Sequence, residues 1–255
     1  MVLAKPGAAA PSSVKPRHVL CFLGAEPDRR RLAKAANDAI GQFAAGFHVD
    51  TQYSQDVPDD RMVASFGVCW DRVAPDAWTH ADEDAVLHHQ SVLYVLSPPM
   101  TADTAVTIST AALFLVEAVI TAGAVAVKGE SAGVAHGLAR WRELGAQCSR
   151  AVEAGDDLAT GRACRLAFAK RPLESDKYVE SVGFHLVGLP EVYVAKGLGT
   201  DREKAALMDA VADELAERKL DAVLRERKAR ISYASSYADD DFKFNPFGIV
   251  YIDQL

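Results

Sequence analysis

The first hydrophobic run, residues 18–24 (His-Val-Leu-Cys-Phe-Leu-Gly), is short and apolar and ends in Gly, so it predicts a buried opening strand. Asp28 is placed to cap a helix to about residue 45, with Leu32, Ala35, Ala36, Ala39, Ile40 and Phe43 on one face and Gly46 as its stop. Residues 48–54 alternate as a strand does, and 62–71 read as its hairpin neighbour. This β-α-β-β order argues against a purely parallel, doubly wound sheet.

A loop at 75–81 leads into a short helix, 82–89, and then the strongest strand pattern, 91–96, which Pro98 and Pro99 terminate. Thr101 predicts the N-cap of a long apolar helix ending at Ala122 and Gly123. A buried strand follows at 124–128. Ser131 is read as the cap of a helix to about 147, with Val134, Leu138, Trp141 and Leu144 facing inward. The polar stretch 151–161 is the candidate seam between two lobes. Beyond it, 165–173 and 178–187 read as strands, then a turn at 188–191 and a short strand, 192–195. Residues 201–227 predict one long charged helix, with Ala206, Leu207, Ala210, Val211, Leu215 and Leu220 inward. A loop at 232–241 precedes a last strand, 248–252.

The pattern adds up to an α+β fold: a mixed, mostly antiparallel sheet or sheets with helices packed on one face, and room for two ferredoxin-like lobes. Residues 1–17, with Pro6, Pro11 and Pro16, read as a flexible lead-in, and 18–255 as one α+β domain with lobes at 18–150 and 162–255. The lead-in lacks the apolar core of a secretory signal. Residues 105–127 are long enough to span a membrane, but Glu117, Gly123 and several hydroxyl side chains favour a buried helix running into a buried strand.

Charge narrows the partners. The chain carries 35 acidic and 28 basic residues, net −7, and its basic clusters at 29–31 and 225–230 are short and sit at helix ends. Nucleic acid is disfavoured, since neutralising phosphates calls for a basic stripe. Cys21, Cys69, Cys148 and Cys164 are widely spaced, without a C-x-x-C pair or zinc spacing, and three of them, Cys21, Cys69 and Cys164, sit beside apolar residues, which suits free buried thiols in a reducing compartment. The expected location is cytoplasmic.

Residues 128–137 leave a strand through small residues toward a helix, as phosphate-binding and nucleophile turns do, but match neither motif. Lys128, Glu130, Ser131 and His136, with His185, are the candidate small-ligand site. His80, His88 and His89 cluster around Asp82 and Asp84, yet no third ligand for a metal is assignable. Glu117, an acid on an apolar helix, needs a partner, with Lys128 the nearest candidate by sequence. Tyr237, Asp239, Asp240, Asp241 and Phe242 mix acid with aromatics and form the candidate contact patch for a basic protein. No catalytic, cofactor or metal set is assembled.

At 178–194, the stretch Gly183-Phe184-His185-Leu186-Val187-Gly188-Leu189-Pro190-Glu191 resembles the Gly-Met-His-x-x-Gly-Leu-Pro-Asp signature of a mainly bacterial family, domain of unknown function four-two-six-one. Phe184 stands for Met and Glu191 for Asp. The run 88–96 and the turn 128–136 resemble two further stretches of that family, with Ala132 a departure. The resemblance carries no catalytic residues. It implies company with type VI secretion toxins, and so the role of an immunity protein that neutralises a toxin by direct binding. The expected function is therefore protein binding, and the alternative is an enzyme or small-ligand protein with its site between 128–136 and 183–191.

Overall fold

A computed structural model describes residues 15–74, 77–233 and 245–254. The fold is α+β with two mostly antiparallel five-stranded sheets. The first contains β1 (Val19–Gly24), β2 (His48–Gln55), β3 (Ser91–Leu96), β4 (Ala124–Gly129) and β5 (Val134–His136), in the order β2-β3-β1-β4-β5, every pair antiparallel. Along the central β1, side chains alternate between faces: Leu20 and Phe22 point one way, Cys21 and Leu23 the other. All four are fully buried, because helices cover both faces.

On the Leu20–Phe22 face lie α1 (Arg30–Gln42), α4 (Ala102–Thr121), α5 (Leu138–Glu153) and α6 (Asp157–Phe168). On the Cys21–Leu23 face lie α2 (Arg61–Cys69) and α3 (His80–Leu87). Helix α4 has the length and composition to cross a membrane. Here it is a core helix, with Ala105, Leu113, Val116 and Val119 buried in the first core. As the sequence predicts, Thr101 is its N-cap, and Gly123, at φ +109°, follows its C-cap.

The second sheet contains β6 (Lys170–Glu174), β7 (Tyr178–Val182), β8 (Glu191–Ala195), β9 (Arg230–Ser232) and β10 (Ile249–Ile252). Its order is β6-β7-β8-β10-β9, with β8 and β10 parallel. Helix α7 (Asp201–Glu217) lays Met208, Val211 and Ala212 on Val192, Val194 and Val250, and α8 (Leu220–Glu226) adds Leu220 and Leu224. The two cores meet at the end of α6 and at a single 3-10 turn, Phe184–Val187. Phe168 and Leu186 belong to the first core, Ala169 and Phe184 to the second.

Four expectations are corrected. Most of the expected strand 62–71 is helix α2, which ends at Cys69, since Met62, Phe66 and Cys69 are the buried positions and repeat at helical spacing. Ser131 caps no helix. It sits in the turn between β4 and β5, where its hydroxyl donates to Arg17 O at 2.6 Å and accepts the Val19 amide at 3.0 Å. Residues 165–168 close helix α6, where Thr160, Ala163, Cys164, Ala167 and Phe168 make the buried stripe. The expected helix 201–227 breaks after Glu217, with Arg218 extended at φ −131°.

Candidate protein-binding groove

Helices α2 and α3 enclose the most chemically distinctive surface of the first sheet. Asp59 accepts the Arg61 amide at 3.0 Å and so starts α2. Its buried row, Met62, Phe66 and Cys69, leaves Val63 and Val68 in solvent on the other side, 47% and 65% exposed. Helix α3 begins with a capping box: Asp82 receives the amide and hydroxyl of Thr79 at 2.8 and 2.7 Å. Val86 turns inward, and Leu87 stays 57% exposed.

Between them lies a groove of about 350 Å³. Phe66, Trp70 and Trp78 supply its aromatic lining, joined by the exposed Glu83 and Asp84. The Phe66 and Trp78 rings lie 6.1 Å apart at 31°. Arg72 already places its guanidinium carbon 5.1 Å over the Trp70 ring. Asp84 makes no ion pair among the described residues, while Glu83 takes only the exposed His80, at 3.0 Å.

A buried charge underlies this floor. Lys128 is fully buried, donates to Ser65 Oγ, pairs with Glu130 Oε1 at 2.8 Å and holds its ammonium 5.0 Å from the Phe66 ring. The Tyr94 hydroxyl donates to the same Glu130 at 3.2 Å. Cys21 lies between Tyr94 and Lys128 in the strand register. Burial pushes its thiol up to about 12, against the smaller opposing pull of Lys128, so it is an inert core thiol. Burial, with the neighbouring Cys21 and Glu130, likewise raises the Tyr94 phenol.

The remaining candidate ligand-site residues face inward on their own partners. His136 Nε2 donates to Ala167 O at 3.0 Å, and its Nδ1 faces Asp71 Oδ2 at 3.3 Å without hydrogen-bond alignment. Burial alone would raise the Asp71 carboxyl; the facing imidazole and the Val73 amide outweigh it and hold the group below the usual range. His185 Nδ1 donates to Glu191 Oε1 at 3.1 Å. That carboxylate also accepts the Ser181 hydroxyl at 2.6 Å, the Gly183 amide at 2.9 Å and the Asn245 amide at 3.0 Å. Burial would raise Glu191, and the His185 contact followed by these other donors reverses the direction.

The two motif segments do touch. A side chain on Gly183 would meet Ala132 Cβ at 2.8 Å and Phe168 O at 2.7 Å, and Gly183 sits at φ +115°. Their polar side chains do not converge, however: Lys128 and Glu130 face α2, Ser131 faces the start of β1, and His136 and His185 face separate carboxylates. Glu117 pairs with Arg142 at 3.7 Å and accepts from Thr121, not from Lys128. His88 and His89 each spend Nδ1 on a backbone carbonyl, and His89 Nε2 accepts the Asp59 amide at 2.9 Å. The contact-patch residues Tyr237, Asp239, Asp240, Asp241 and Phe242 lie outside the described residues, as does most of the 1–17 lead-in.

A larger cavity, about 570 Å³, opens between α6, the 3-10 turn and the end of α7. Its guanidinium groups are already committed. Arg165 pairs with Asp213 at 2.8 Å and Arg162 with the same carboxylate at 3.2 Å.

The groove residues are hidden in the sequence because the apolar, exposed Val63 and Val68 give this stretch a strand-like pattern, which turns Val63 and Phe66 toward the wrong sides. The signal was present in the spacing of Met62, Phe66 and Cys69. Compared with protein-family models, with curated proteins and with solved structures, the chain matches none.

Proposed function

We propose that this chain is a protein-binding protein whose binding face is the α2–α3 groove. The partner is a basic protein, and in the role implied by the family resemblance it is a toxin that the chain neutralises by direct contact in the cytoplasm. The observation that carries the reading is the groove: Phe66, Trp70 and Trp78 in its lining, Val63 and Leu87 left in solvent beside it, and the exposed Glu83 and Asp84 joining them. Aromatic anchors with a charged surround are what protein interfaces use. The net charge of −7 complements a basic partner and favours its capture at low salt.

The alternative, a catalytic or small-ligand site between 128–136 and 183–191, has less behind it, because each of its polar side chains is spent on an internal partner. The test is capture from cell extract by the tagged chain and by its Val63→Asp/Leu87→Asp variant, at roughly 50 and 300 mM salt, concentrations that span strong and weak screening. One stoichiometric basic protein, held by the wild type, released by salt and lost by the variant, is the expected result. A partner that the variant retains overturns the assignment of this face.

A further inference from the structure

The groove has a more specific chemistry than a general apolar contact. We infer that it receives an arginine side chain of the partner, stacked on the groove aromatics and bonded to Glu83 and Asp84; this rests on the binding reading above. Three features point there. The half-buried Trp70 and Trp78 line a cavity of about 350 Å³, room for one long side chain, with the buried Phe66 ring packed 6.1 Å from Trp78. Glu83 and Asp84, both exposed, line the cavity, and Asp84 makes no ion pair among the described residues. A planar guanidinium can stack on a ring and donate to carboxylates at its edge in one pose, which an ammonium does less well.

The third feature is internal. Arg72, which is not part of the groove lining, lays its guanidinium over Trp70, 5.1 Å from the ring centre, the kind of contact an incoming guanidinium would make on the groove side. Val63 and Leu87 would line the methylene stem of an incoming arginine, as apolar surface commonly does for this residue.

The test uses the full chain and the peptide acetyl-Gly-Arg-Gly-amide, with the citrulline peptide as its uncharged isostere, followed by tryptophan fluorescence. Trp70 and Trp78 line the groove and report binding, while Trp141 is buried in the core. The arginine peptide is expected to saturate with a Kd on the order of 1 mM. The citrulline peptide and a Glu83→Gln/Asp84→Asn variant should each bind at least about tenfold more weakly, the loss expected when charge-assisted bonds go. Equal response to both peptides, or full affinity in the acid-neutralised variant, overturns the inference. A protein partner captured through this face by a chain that ignores the arginine peptide sinks the inference alone; arginine binding without any captured protein sinks the binding reading alone.

Discussion

Asp82 on α3 caps the first turn of α5 across the fold: its Oδ1 accepts the Leu138 amide at 3.3 Å, and Gly137 leaves the space its carboxylate fills. A Cβ on Gly137 would stand 2.5 Å from Asp82 Oδ2. One carboxylate therefore fixes both the start of α3 and its position against α5, and with them one wall of the groove.

Removing that carboxylate tests the relationship. Asp82→Ala should cost about 1–3 kcal/mol, two caps' worth, and Gly137→Ala a similar amount by expelling the acid. The double variant should cost little more than either alone, because the alanine then enters emptied space. Urea unfolding of the three variants measures this, and full additivity would show that the two positions act separately.

The pair beneath the groove is asymmetric. Lys128 is fully buried, whereas the Glu130 side chain is 31% exposed. Glu130→Gln strands a buried ammonium and should cost about 3–5 kcal/mol. Lys128→Met leaves a carboxylate that reaches water and keeps the buried stem, so it should cost clearly less. The ordering of the two midpoints in urea is the readout.

How much of this was legible in the sequence differs by residue. The run 18–24, the Thr101–Gly123 helix and the strand at 91–96 were readable because their burial is set by continuous apolar stretches with sharp stops. Residues 62–71 misled because Val63 and Val68 are apolar and exposed, which hides the helical spacing of the buried row. Ser131 misled for another reason: its hydroxyl serves residues 17 and 19, more than a hundred positions away, and no local pattern encodes that. In the Gly183–Glu191 stretch, which the sequence offers only as a family-like motif, a buried carboxylate collects donors from Ser181, Gly183, His185 and Asn245.

Stability should depend on pH through His18. Burial, with the charge of His185 adding to it, lowers its pKa to about 3 from 6.5, and its Nε2 lies 2.7 Å from Ser109 Oγ. Between pH 6.5 and about 3 the unfolded chain takes up a proton that the folded chain refuses. Stability is therefore complete above that window and falls as pH drops through it, by up to about 1.4 kcal/mol per pH unit. Asp71 and Glu191, both held low, add losses of the same sign only below the ordinary carboxylate range. His80, raised by Glu83, has the opposite sign, but it is fully exposed and contributes little. Urea unfolding between pH 7.5 and 5 isolates the histidine effect, and His18→Gln should flatten it.

Hydrogen exchange of the chain alone and bound to its captured partner tests the α2–α3 face most directly. The expected result is new protection on residues 61–70 and 78–88, with the second sheet unchanged. Protection confined to 234–244, or to the cavity between α6 and α7, would contradict the groove as the binding face.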